Sequence, residues 1–143
     1  MTLNPKIWGP PFWFTLQTIS INYPTSPNET TKKKYYDFIQ NIPLFIPDDS
    51  FGNKFVELLD DFPVTPYLDS RTSFMKWINF IHNQINKKLG KPIIEFQDGI
   101  NKYYEHYKPP EIKNKKEIKE KQKIIYGTFI ILALLSAFYL YNK

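Results

Sequence analysis

Asparagine, histidine and lysine recur at short intervals in residues 77–92, which have the sequence WINFIHNQINKKLGKP. On a helix, Asn79, Asn83 and Asn86 fall on one face, and His82 and Asn86 are four residues apart. This polar strip borders an apolar stripe, so it could face a cavity inside a helical bundle. Amide and imidazole groups can hydrogen-bond to a ligand bound in such a cavity, and nearby lysines can attract its negative charge.

Cysteine is absent from the 143-residue chain, and histidine occurs only as His82 and His106. A chain without cysteine has no disulfide, no cysteine-ligated zinc and no cysteine nucleophile. Two histidines are too few for a histidine-rich metal site, so we expect no bound metal.

The formal net charge of +5 is concentrated near the C-terminus. Residues 1–110 contain 12 basic and 11 acidic side chains, whereas residues 111–123 contain six lysines and three glutamates. The nearly neutral globular part argues against a nucleic-acid-binding surface, and we expect no nucleic acid partner. Residues 109–123 begin with Pro109-Pro110 and predict a solvated, lysine-rich stalk.

Residues 124–141, IIYGTFIILALLSAFYLY, form an 18-residue run without a charged side chain. As a helix the run would extend about 27 Å, enough to cross a thin bilayer core. A buried core helix is the alternative. Residues 1–20 contain no apolar secretory core, so we expect a single-pass, C-terminal anchor. The preceding lysines predict an N-terminal domain on the cytosolic side of an endoplasmic-reticulum-type or virion membrane.

Apolar residues recur at helical spacing in five segments upstream of the stalk. The segments begin and end near residues 11–22, 29–41, 48–62, 69–89 and 94–107. The fourth is the best patterned, and Gly90 follows it as a typical helix stop. The sequence therefore predicts an all-α fold, with a helical bundle followed by one transmembrane helix.

Two segments together resemble the Erv/ALR family of FAD-linked sulfhydryl oxidases. Residues 8–17, WGPPFWFTLQ, lead to Tyr23-Pro24 and resemble the family pattern WGPxxWxxLH...YP. Residues 77–92 follow the spacing of WxxxxHNxVNxxLGKP without a gap. The resemblance covers about residues 7–107. It implies that residues 1–108 form a four-helix bundle around FAD, with a short fifth helix over one end, and that the protein is a homodimer.

The resemblance and the residue types together predict a set of flavin contacts. Tryptophan and tyrosine would form flat walls, histidine and amides would hydrogen-bond to the rings, and lysines would bind the pyrophosphate. Gln17 departs from the family histidine, and it can hydrogen-bond but cannot carry a charge. Taken singly, these residues also suit structural roles in a core or on a solvated helix end. The predicted contacts are Trp13, Gln17, Tyr23, Trp77, His82, Asn83, Asn86, Lys88 and Lys91.

The family oxidises thiols through a CxxC pair at a helix N-terminus, where a thiolate is stabilised. Asp48 and Phe51 occupy the corresponding positions, and Asn79 and Phe96 occupy those of a structural C-x16-C bridge. Disulfide exchange requires a sulfur nucleophile and a sulfur leaving group, so the chain cannot run the dithiol relay and we predict no catalytic residue. Asp48 is predicted to be a helix N-cap, and Phe51 to fill space.

Three functional hypotheses follow. The first is a membrane-tethered pseudo-oxidase that binds FAD or acts as a scaffold, in partnership with an active oxidase homologue or a virion assembly partner. The second is an active FAD enzyme in which external thiols reduce the flavin directly. The third is a structural membrane protein of a virion, because large DNA viruses encode members of the family.

Overall fold

The computed structural model of the protein describes residues 3–142, and their side chains except those of residues 49, 110–114 and 116. Within these residues the chain forms helices and no strand, which confirms the all-α prediction. The chain divides into two compact units between Tyr103 and Tyr104. The predicted boundaries near residues 108 and 123 stay predictions. The helices are α1 Pro5–Ile21, α2 Glu29–Asn41, α3 Asp49–Asp61, α4 Arg71–Lys88, α5 Phe96–Glu105 and α6 Pro110–Tyr141.

Helix α1 begins six residues before the predicted start, and Pro10 and Pro11 lie inside it. Asn4 caps the helix, because its side-chain oxygen accepts a hydrogen bond from the Lys6 backbone N–H. The two prolines cannot donate backbone hydrogen bonds to the preceding turn. Packing compensates for this loss, since the Trp8 ring lies edge-on to Phe12 and to Phe51 of α3.

One apolar core lies between α1, α2, α3 and α4. Each helix contributes buried side chains to this core, and burial of a large apolar side chain stabilises the fold by about 1.5–3 kcal/mol. The apolar stripe predicted for α4 is buried as expected. The fully buried large side chains are Trp77, Tyr23, Phe55, Phe74, Ile39, Leu58, Ile81 and Val64.

The ends of α4 and α5 show where local chemistry overrides apolar spacing. Ser70 caps α4 by accepting a hydrogen bond from the Ser73 N–H, so the helix begins two residues after the predicted Asp69. Gly90 has a φ of 65°, a left-handed conformation that favours glycine and ends α4 as predicted. Helix α5 begins at Phe96 rather than near Ile94, because the Ile94 backbone is hydrogen-bonded to an α4 side chain.

Helix α6 continues from the lysine-rich segment into the apolar run without interruption. Within α6, a stretch of 25 residues, Glu117–Tyr141, is long and apolar enough to span a membrane, and its most apolar 18-residue window has a mean hydropathy of 2.0. None of that window is buried. One C-terminal apolar helix could therefore cross a bilayer.

Candidate functional site

Trp13 of α1 and His82 of α4 form the centre of the candidate site. Their rings are stacked, with centroids 4.2 Å apart and an interplanar angle of 14°. Both side chains are half-buried. A third aromatic ring cannot enter between them, because two stacked contacts would need about 7 Å. The pair therefore forms one wall, and a flat ligand could stack only on an outer face.

The aromatic wall continues along α1 towards the start of α3. Phe12 is edge-on to Trp13, with centroids 6.5 Å apart, and Trp8 is edge-on to Phe12 at 5.9 Å. Phe51 meets Trp8 at 6.0 Å. These four rings are half-buried, so α1 presents a partly accessible aromatic surface beside the bundle core.

The environment of His82 keeps its imidazole neutral. Burial, together with the positive charges of Lys91 and Lys102, lowers the pKa of His82 to about 4. A neutral imidazole has one donor nitrogen and one acceptor nitrogen. His82 can therefore both donate to and accept from a ligand at neutral pH.

Asn83 and Asn79 bind the chain segment that follows α4. The Asn83 Nδ2 donates to the Ile94 carbonyl at 2.8 Å, and the Ile94 N–H donates to Asn83 Oδ1 at 2.9 Å. Asn79 Nδ2 donates to the same carbonyl at 3.2 Å. Asn86 is 5% exposed, and its backbone carbonyl accepts from the Lys91 N–H at 2.8 Å. The predicted polar strip thus mainly holds the protein backbone.

Tyr23 and Trp77, two predicted walls, lie within the bundle core. Tyr23 is fully buried, and its hydroxyl donates to the Leu68 carbonyl at 2.7 Å. Trp77 is 1% exposed, and its Nε1 donates to the Phe62 carbonyl at 3.1 Å. Direct ligand contact by these two residues stays a prediction, and their observed role is to support the packing behind α1 and α4.

Gln17, one helical turn after Trp13 on α1, lines a small cavity between α1, α4 and α5. The cavity has a volume of about 10 Å³, enough for a single water molecule. Ser20, Asn79 and Gly99 also line it. A flavin contact by Gln17 stays a prediction, because this cavity is far too small for an aromatic ring system.

The two lysines of the predicted site, Lys88 and Lys91, have different surroundings. Lys88 is exposed at the end of α4, with its Nζ 3.6 Å from Glu57 Oε2 of α3. Lys91 is exposed and contributes to the positive potential at His82. Lys102 of α5 adds to the same potential, although no motif in the sequence marks it. Helical spacing could have placed Lys102 on α5, but only the folded structure shows that its charge acts on His82.

Asp48 and Phe51 form the N-terminal cap of α3. Asp48 Oδ1 accepts from the Phe51 backbone N–H at 3.1 Å, as the sequence predicts for an N-cap carboxylate. The Phe51 ring packs against Trp8, and the Lys54 ammonium lies 5.6 Å from the ring centroid. Both side chains are thus engaged in local structure.

Comparison with known proteins assigns this arrangement to a family. A sequence model of the Erv1/Alr family matches residues 10–108. The chain belongs to the Erv1/Alr family. An FAD-linked sulfhydryl oxidase of African swine fever virus is 30% identical over 96 residues, which cover 67% of this chain and 79% of the relative. A probable FAD-linked sulfhydryl oxidase of Acanthamoeba polyphaga mimivirus is 28% identical over 99 residues, which cover 68% and 69%.

A solved structure shows the same fold. The FAD-binding domain of Erv1 from Saccharomyces cerevisiae superposes with a TM-score of 0.63 and 22% identity, covering 72% of this chain and 92% of that domain. The Erv1/Alr membership and the helical-bundle prediction are thereby confirmed. The matched region includes the Trp13–His82 stack and ends at Lys108, so α6 lies outside it.

The residues present in this Erv1/Alr chain fit a flavin nucleotide. Trp13 offers an aromatic face, and His82 is neutral and can hydrogen-bond to a heterocycle. Lys91 and Lys102 provide positive charge that acts on His82, and a diphosphate requires such charge. The folded bundle brings Trp13 of α1 and His82 of α4 into contact, and the charges on the 91–95 segment and on α5 act on this pair.

Proposed function

We propose that this protein is a membrane-anchored, FAD-binding pseudo-oxidase of the Erv1/Alr family, which holds flavin or acts as a scaffold without running a dithiol relay. The central observation is that Asp48 and Phe51, at the positions of the redox cysteines, form a helix cap. A carboxylate and a phenyl ring supply neither a sulfur nucleophile nor a sulfur leaving group.

Flavin binding is supported by the surface around Trp13 and His82. Bound FAD would supply two-electron redox chemistry at this surface. The Trp13 ring would pack against a flat ring, the His82 imidazole would hydrogen-bond, and Lys91 and Lys102 would neutralise phosphate charge. Gln17, Tyr23, Trp77, Asn83, Asn86 and Lys88 complete the proposed site as more distant or supporting residues.

Membrane attachment is supported by α6. Its apolar stretch is long enough to span a bilayer, and the lysines that precede it would favour the cytosolic face. We place the N-terminal domain on the cytosolic side of an endoplasmic-reticulum-type or virion membrane. Attached there, the domain could pair with a second copy, an active oxidase homologue or an assembly partner.

The absorbance spectrum of the purified full-length protein tests flavin binding. Protein prepared in detergent with added FAD and then separated from free FAD should retain the flavin absorption bands. The matched control is His82→Ala, which removes the imidazole beside Trp13 and should retain less flavin. A wild-type protein without flavin bands would refute this part of the proposal.

Oxygen uptake tests the loss of the relay. With dithiothreitol or a reduced protein dithiol as donor, the flavin-loaded protein should produce peroxide no faster than free FAD. Stoichiometric peroxide production well above that background would instead support the second candidate, direct reduction of the flavin by external thiols. Because the chain contains no cysteine, no thiol of this protein contributes to the measured peroxide production.

Protease protection in sealed microsomes tests the topology. The N-terminal domain should be digested from outside, and an epitope placed after residue 143 should be protected. Protection of the N-terminal domain would contradict the proposed orientation. Recovery of the whole chain in the soluble fraction would contradict the anchor.

A further inference from the structure

The segment of residues 91–95, between α4 and α5, is held by asparagines of α4. Lys91 binds the Asn86 carbonyl through its N–H, at 2.8 Å. Three residues later, Ile94 is bound through both backbone groups by Asn83, at 2.8 and 2.9 Å. Asn79 adds a third, longer bond to the Ile94 carbonyl. The segment has no regular secondary structure, so it depends on these bonds for its position along α4.

The Asn83 amide is unusual because both of its polar ends pair with one residue of the backbone. An amide offers a donor and an acceptor side by side, so it can pair with the N–H and the carbonyl of one backbone residue at once. An amide engaged in this way has its orientation fixed by the backbone of the protein and not by a ligand. The family resemblance predicts Asn83 as a flavin contact, whereas the hydrogen bonds suggest a different task.

We propose that Asn83 is a positioning residue, which holds Ile94 and thereby keeps the 91–95 segment against α4 with Lys91 next to the Trp13–His82 stack. This inference rests on the proposed function for its ligand, a flavin that carries a diphosphate. The hydrogen bonds between Asn83 and Ile94 do not depend on that function. Asn83 lies one residue after His82 on α4, so the same turn of helix supports the stack and anchors the segment.

The charges around His82 provide a way to detect the position of Lys91. Two lysines act on the imidazole, Lys91 from the 91–95 segment and Lys102 from α5. If the Ile94 anchor is removed, Lys91 keeps only its N–H bond to the Asn86 carbonyl, and its exposed side chain can move away from His82, whereas Lys102 remains on its helix. The pKa of His82 therefore reports the position of Lys91 even when no flavin is present.

Nuclear magnetic resonance titration of His82 in the full-length, flavin-free protein in detergent tests the geometry. Lys91→Ala should raise the pKa of His82 by removing a positive charge. Asn83→Ala should also raise it, and the double variant should match the Lys91→Ala variant, because both changes remove the same charge. The matched control Asn53→Ala, at an exposed asparagine of α3, should leave the pKa unchanged.

Two results of this titration would overturn the proposal. One is a pKa of His82 that rises in Lys91→Ala but is unchanged in Asn83→Ala. The other is additive effects in the double variant, which would mean that Asn83 acts on His82 independently of Lys91. If Asn83→Ala does not fold, Ile94→Pro removes the Ile94 N–H donor while Asn83 stays in place, and the same predictions apply.

Ligand titration extends the test to the flavin. Asn83→Ala and Lys91→Ala should each weaken FAD binding about tenfold, and the double variant should be no weaker than either alone. Riboflavin has no phosphate, so both variants should bind it as the wild type does. Equal weakening of FAD and riboflavin by Asn83→Ala would assign Asn83 to the ring and overturn the proposal. Failure of the wild type to bind FAD would refute the proposed function, while the His82 titration would still decide the role of Asn83.

Discussion

His82 should make the stability of the bundle depend on pH in the range from about 4 to 6.5. Burial and the charges of Lys91 and Lys102 lower the folded-state pKa of His82 from 6.5 to about 4. The unfolded chain therefore binds a proton in this range that the folded chain does not bind. Proton uptake by the unfolded state destabilises the fold as the pH falls from 6.5 towards 4, and the loss is complete below about pH 4.

The magnitude follows from the two pKa values. When the pH falls from 7.5 to 5.0, the difference between the unfolded-state and folded-state pKa values of His82 corresponds to a loss of about 2 kcal/mol in the free energy of unfolding. His82 is half-buried rather than fully buried, and solvent screens part of the effect, so we expect a loss of about 1–2 kcal/mol. This is a large share of the stability of a small domain.

Urea unfolding of the flavin-free protein at several pH values measures this loss. The matched variant is His82→Phe, which keeps an aromatic ring against Trp13 but cannot titrate. Its free energy of unfolding should fall less between pH 7.5 and 5.0 than that of the wild type, by about 1–2 kcal/mol, because carboxylates titrate equally in both. Identical pH dependence of the two proteins would refute the argument, and so would a wild type that gains stability on acidification relative to His82→Phe.

Three further substitutions test the structural roles of individual residues by urea unfolding at pH 7. Asp48→Ala removes the cap on the Phe51 N–H and should cost about 1 kcal/mol, and no change would contradict the cap. Tyr23→Phe leaves the buried Leu68 carbonyl without its donor and should cost about 1–2 kcal/mol, whereas a neutral effect would contradict a stabilising hydrogen bond there. Gly90→Ala forces a Cβ into a left-handed conformation and should cost about 1 kcal/mol.

The helices were predictable wherever one local pattern was dominant. The apolar stripe of α4 and the stop at Gly90 are both set by residues within the helix. The start of α1 was not predictable in the same way, because Pro10 and Pro11 usually mark a helix start. The turn before them is stabilised by Trp8 packing on Phe51, a contact between helices that spacing along one helix cannot reveal.

The residue types of the candidate site could be predicted from the sequence. The group that each side chain binds was harder to predict. A helical asparagine can face a ligand or the protein backbone equally well, and the choice for Asn83 depends on where Ile94 lies, eleven residues later. Tyr23 and Trp77 have polar groups that suit a ligand, yet both bind carbonyls of the core. The charge of Lys102 acts on His82 because α5 packs on the bundle, and no motif in the sequence predicts that packing.

Two cysteine positions of the family are occupied here by polar side chains that form local hydrogen bonds. Such substitutions explain how the fold can persist although the cysteines are lost. The resemblance places cysteines of the family at Asp48 and Asn79, and each of these side chains now binds a backbone group nearby. Asp48 accepts from the Phe51 N–H, and Asn79 donates to the Ile94 carbonyl. A helix cap and a hydrogen bond to a connecting segment can support local structure without a covalent link, but neither can accept or release electrons. The structural role of the cysteine positions can thus be retained while their redox role is lost, which is the combination that a flavin-binding scaffold requires.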